Sequence, residues 1–65
     1  MRVRIKEGVH PYSGRALDIK AVRTDRHGLV TVMVWPINGA GMRWYDRSEV
    51  VPLDDEARAA LERGA

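Results

Sequence analysis

At 65 residues the chain is enough for one domain, near the lower limit of independent folding, where only about 60% of the unfolded surface is buried. It contains no cysteine, which excludes a disulfide framework and a thiolate zinc site. The net charge of +2 conceals an asymmetry: residues 1–53 carry nine Arg or Lys against five Asp or Glu, a balance of +4, and residues 54–65 carry two against four, a balance of −2. No apolar run approaches the roughly 20 residues of a membrane helix. The opening run Met1-Arg2-Val3-Arg4-Ile5-Lys6 alternates charge with apolar residues and has no signal-peptide core. A cytoplasmic protein with no membrane partner is expected, with a basic body suited to polyanions and an acidic tail.

Residues 2–6 read as a first strand, with Val3 and Ile5 facing inward and Arg2, Arg4 and Lys6 on the other face. Three cations in a row discourage edge-to-edge pairing with another chain, and they also suit a phosphate backbone. Glu7 to Gly14 is a loop punctuated by Gly8, Pro11, Ser13 and Gly14. Within it Tyr12 either caps the core or meets a ligand, and His10 is a solvated loop residue. Arg15 to Thr24 is a long second strand in which Leu17, Ile19 and Ala21 share a face and Val22 falls out of phase. That slip predicts a β-bulge near Ala21-Val22, the kind of bend a small barrel needs to close.

Asp25-Arg26-His27-Gly28 is a tight turn, with Gly28 free to take a positive φ. Leu29 to Trp35 follows as the central strand. Val30, Val32 and Val34 alternate there with Thr31, Met33 and Trp35, so one face is buried and the other is not. Pro36 ends the strand, and Asn38-Gly39 is the strongest hairpin signal in the chain. Met42 to Tyr45 is a short fourth strand, Asp46-Arg47-Ser48 a turn or single 3₁₀ turn, and Glu49 to Leu53 a fifth strand that sends Val50 or Val51 into the core. The tail reads as a helix. Asp54 is its N-cap, Asp55 and Glu56 fill the first turn, Ala57, Ala60 and Leu61 form a narrow apolar stripe, Arg58 faces Glu62 at i,i+4, and Gly64 follows as the stop. So short a helix docks through Leu61 or frays.

Five short strands with turns between them and no βαβ unit predict a mainly β fold: a five-stranded antiparallel SH3-like barrel over residues 1–53, with a short C-terminal helix over 54–65. The order of features resembles that family: a strand holding Val3 and Ile5, a long first loop, a bent second strand, a tight turn, the Asn38-Gly39 hairpin, and a turn before the last strand at Asp46 to Leu53. Within it, Val3-Arg4-Ile5-Lys6-Glu7-Gly8 and Tyr12-Ser13-Gly14-Arg15 are similar to the opening of KOW-type modules of transcription and ribosomal proteins. Leu17 stands where that sub-family has its most characteristic glycine. Peptide-binding SH3 domains carry an acidic, tyrosine-rich first loop, and this chain has Tyr12 alone there.

Catalysis finds little in the sequence. Both histidines lie in loops, Ser13 and Ser48 have no evident base beside them, and a domain this small has little room for a water-excluding cleft. A non-enzymatic binding module without cofactor or metal is expected. Its candidate binding residues are the cations Arg2, Arg4, Lys6, Arg15, Arg43 and Arg47 and the aromatic residues Tyr12, Trp35 and Tyr45. Trp44 and Tyr45 point to opposite sides of the fourth strand, so one of them is outward. An outward aromatic among arginines describes a surface for single-stranded nucleic acid, and equally a protein-interaction hot spot. Nucleic acid, a protein partner, a second copy buried through Trp35 and Met33, and a larger complex with this chain as accessory subunit remain as alternatives.

Overall fold

The computed structural model describes residues 1–35 and 42–64, so the Asn38-Gly39 hairpin signal lies outside the described residues. The fold is mainly β, with five antiparallel strands in one sheet and one C-terminal helix. The strands are β1 (Arg2–Ile5), β2 (Ala16–Thr24), β3 (Val30–Trp35), β4 (Arg43–Asp46) and β5 (Val50–Pro52). A 3₁₀ turn, Arg47–Glu49, joins β4 to β5, and α1 (Asp55–Arg63) follows β5. Strand order across the sheet is β4-β3-β2-β1-β5, so β4 and β5 are its two edges. Each strand falls within a residue or two of the stretch its apolar alternation marks.

Strict alternation in β3 buries Val30, Val32 and Val34 on one side. Val3 and Ile5 of β1, Leu17 and Ile19 of β2, Tyr45 of β4 and Val50 of β5 join that inner face. Of the pair Val50 and Val51, it is Val50 that enters the core; Val51 is exposed. The expected bulge is present but sits one residue earlier than the sequence suggests. The β2–β3 register runs Ile19 to Val34 and then Ala21 to Met33, leaving Lys20 as the extra residue. Ala21 therefore pairs on the outer side, and Val22, opposite Val32, packs against the core.

The β1–β2 loop folds back over one end of this core. Val9 and Tyr12 pack against it, and the Tyr45 hydroxyl donates a hydrogen bond to the Pro11 carbonyl. Tyr12 holds a left-handed φ of 70°, uncommon for a residue with a side chain. Its carbonyl accepts from the Arg15 N–H at 2.9 Å, which closes the loop onto β2. Burial pushes the Tyr45 hydroxyl above its ordinary value of 10.0; Arg43 opposes the shift, and Tyr12 and Glu49 add to it. At the β2–β3 turn one carboxylate oxygen of Asp25 accepts from the N–H groups of His27 and Leu29, at 2.8 and 2.9 Å. This is an Asx-type turn, and Gly28 supplies the positive φ it needs.

The helix docks rather than frays. Ala57, Ala60 and Leu61 are buried, and Ala57 and Leu61 belong to the core cluster. Both helix ends are tied to the sheet. Asp54 accepts from the Ala57 N–H at 2.7 Å with one oxygen and from the Arg2 N–H at 3.0 Å with the other, so a single carboxylate joins the helix start to β1. The Ala57 bond is the main reason the Asp54 carboxyl lies below its ordinary value. At the other end Gly64 turns left-handed with φ 75°, and its carbonyl accepts from the Thr24 hydroxyl at the end of β2. A side chain at Gly64 would run into the Thr24 hydroxyl. Arg58 lies beside Asp55 at 3.7 Å, not beside the Glu62 expected from spacing, and both groups are solvated enough to make the pair weak.

Removing the Leu61 side chain is predicted to cost about 2–5 kcal/mol, against a total of about 3–10 kcal/mol for a domain of this length. Leu61→Ala should lower the denaturation midpoint steeply, and a midpoint close to the parent's would mean that the helix adds nothing to the fold. A second expectation concerns alkali. The folded chain keeps the Tyr45 proton at a pH where the unfolded chain releases it. This contribution is complete below pH 10.0 and is lost as the pH rises through the higher folded value. Denaturation midpoints followed across that range should fall more for the parent than for Tyr45→Phe; equal slopes would contradict the assignment.

Candidate functional site

Pairing fixes what the outer face of the sheet carries. With the three valines of β3 turned inward, Thr31, Met33 and Trp35 face out. β4 sets Trp44 opposite Met33, and β2 sets Ala21 opposite Met33, Arg23 opposite Thr31 and Asp18 opposite Trp35. β1 extends the face with Arg2 opposite Asp18 and Arg4 opposite Ala16. Trp35 and Trp44 are diagonal neighbours on adjacent strands, a relation that places Cα atoms about 7–8 Å apart, within reach of large aromatic side chains. Their relative exposures are 45% and 42%, high for tryptophans on a regular sheet. Two indole rings therefore flank a half-buried Met33 on a rigid support.

Cations frame this apolar centre. The Arg23 guanidinium lies 5.0 Å from the centroid of the Trp44 ring, a cation–π placement that holds a positive charge beside an aromatic face. On the far side Arg2 comes within 3.8 Å of the Asp18 carboxylate, with both side chains more than half exposed, so the pair is weak and its arginine retains donors for another acceptor. Arg4 is exposed on the same face. Asp46, at the corner opposite Thr31, is occupied locally. Its N–H donates to Glu49 at 2.9 Å and its carboxylate accepts from Ser48 at 2.9 Å, which organises the 3₁₀ turn.

The residues expected to bind divide into groups. Arg2, Arg4 and Trp35 lie together on the outer face. Tyr45 does not: it pairs with Val32, is 4% exposed and belongs to the core, because the β3–β4 register gives the inward position to Tyr45 and the outward one to Trp44. Arg43 pairs with Val34, on the side of the sheet away from the tryptophans, where its charge acts on the Tyr45 hydroxyl. Arg47 serves the helix, its guanidinium donating to the Leu61 carbonyl at 3.3 Å. Tyr12 packs on the core from the loop, and its neighbour Arg15 is exposed just before β2. Lys6 is exposed beyond the end of β1, where its backbone N–H donates to Glu49 at 3.0 Å.

Sequence reasoning left open whether Trp44 or Tyr45 faces out and named only Tyr45 as a binding residue, and it passed over Arg23. The signal for Trp44 was the parity of β4 against β3, which only the pairing settles. For Arg23 it was the presence of the bulge, since one extra residue between Ile19 and Arg23 turns Arg23 outward wherever it falls. Among the described residues no group of three His, Cys, Asp or Glu side chains stands close enough together to hold a metal ion, and no helix is long and apolar enough to cross a membrane. Comparison of the chain with protein-family models, with curated proteins and with solved structures gives no match.

Proposed function

We propose that this domain is a non-enzymatic binding module that takes single-stranded nucleic acid on the outer face of its sheet. The observation that carries the reading is the pair Trp35 and Trp44, exposed side by side with Arg23 against one ring and Arg2 and Arg4 further along the same face. Bases stack on tryptophan whatever their identity, at about 1–3 kcal/mol each, and arginines on either side meet the phosphates that connect them. Two stacking positions and three cations suit a stretch of a few nucleotides, with affinity of the order of micromolar at low salt. A duplex keeps its bases stacked on one another and offers this surface only its backbone. The SH3-like, KOW-type resemblance of the N-terminal strand and loop accords with such a role.

Tryptophan fluorescence should be quenched saturably by a short single-stranded oligonucleotide, and less by a duplex of the same length. Three phosphate contacts give a log–log salt slope of about −2. Trp44→Ala should weaken binding about tenfold or more, and Arg23→Gln and Arg4→Gln should each weaken it and flatten the slope. Arg43→Gln and Arg47→Gln, which alter charges away from this face, should leave binding near the parent's. Binding that ignores salt, or that falls as much in the Arg43 and Arg47 variants as in the Arg4 and Arg23 variants, would overturn the proposal. The same apolar centre with an arginine rim also fits a protein partner, and that reading predicts the salt-independent result.

A further inference from the structure

On the opposite side from the tryptophans, α1 leans against β5 and the 3₁₀ turn and leaves a cleft of about 420 Å³ lined by Arg47, Val50, Pro52, Arg58, Leu61 and Glu62. Its floor is apolar: Val50 and Leu61 are core residues whose outer atoms reach it, and Pro52 has no backbone N–H to offer. Its walls are charged, with two guanidiniums against one carboxylate. Arg47 spends one N–H on the Leu61 carbonyl, through a long 3.3 Å bond. Arg58 meets Asp55 at 3.7 Å with both side chains largely in water. Each arginine presents five N–H donors in a planar fork, so both retain donors for a carboxylate.

The dimensions restrict what fits. Along the helix the lining runs from Arg58 to Glu62, roughly 6 Å of rise, and along β5 from Val50 to Pro52, roughly 7 Å. A compact molecule with a short apolar body and one anionic end matches floor and walls together. We infer that this cleft is a binding site for a small amphiphilic carboxylic acid, whose tail lies on Val50, Pro52 and Leu61 and whose carboxylate is held by Arg47 and Arg58. The site is separate from the tryptophan face, and its occupation does not depend on nucleic-acid binding.

The test is a titration of the full chain, below micelle-forming concentration, with octanoate, 1-octanol and acetate, followed by backbone amide shifts. Octanoate should give saturable shifts centred on Val50, Arg58 and Leu61. Octanol lacks the charge and acetate lacks the tail, so each should bind about tenfold more weakly or worse. Arg58→Gln, at an exposed helix position outside the core, should weaken octanoate severalfold and leave octanol unchanged. Arg47→Gln should do the same, and because it also touches the helix end, its unliganded spectrum establishes that the fold is intact. Octanol binding as well as octanoate, an Arg58 variant with undiminished octanoate affinity, shifts centred on Trp35 and Trp44, or no saturable shift at all would each overturn the inference.

Discussion

One extra residue in β2 decides what both faces of the sheet contain. Leu17 and Ile19 point inward, and simple alternation would carry Ala21 and Arg23 inward after them, burying an arginine beside β3. A charge removed from water without a partner is costly enough that the strand would not pair this way. The bulge at Lys20 resets the phase. Val22 then fills the core opposite Val32, and Arg23 emerges on the outer face above the Trp44 ring. The composition of the core and of the tryptophan face thus follows from the same irregularity.

A chain this short has few residues with which to seal its core, and the helix completes the closure. Its three buried residues are small or singly branched, so the apolar area it covers is limited. Location matters more than area here. Asp54 holds the helix start to β1, and Thr24 holds its end to β2, so the stripe of Ala57 and Leu61 is set over the core near Val50. The cleft beside β5 lies along this docked helix, where Arg47 of the 3₁₀ turn donates to the Leu61 carbonyl. The acidic tail therefore belongs structurally to the basic body.

Much of the fold was legible because it rests on local chemistry. Val30, Val32 and Val34 announce a half-buried strand by period alone, Asp25 and Gly28 specify their turn, and Asp54 and Gly64 mark the ends of the helix. The candidate site was less legible because it rests on parity between strands. Whether Trp44 or Tyr45 faces out depends on the length and shape of a connection, and no local propensity separates two aromatic neighbours. Likewise Arg23 reads as inward by simple alternation from Ile19 and as outward once one extra residue stands anywhere between them. Arg43 and Arg47 illustrate a related difficulty: they flank the aromatic pair in sequence, yet pairing and the 3₁₀ turn carry them to other surfaces.

On the function we propose, the outer face built from Trp35, Trp44 and Arg23 is the surface on which this domain meets its ligand. Mapping amide and indole N–H shifts as a short single-stranded oligonucleotide is added tests it most directly, because the readout is positional. The largest changes should fall on the indole N–H groups of Trp35 and Trp44 and on the amides of Ala21, Arg23 and Met33, with Arg43, Arg47 and the helix little affected. Changes concentrated on the helix and the 3₁₀ turn, or a spectrum unaltered at low salt, would contradict it.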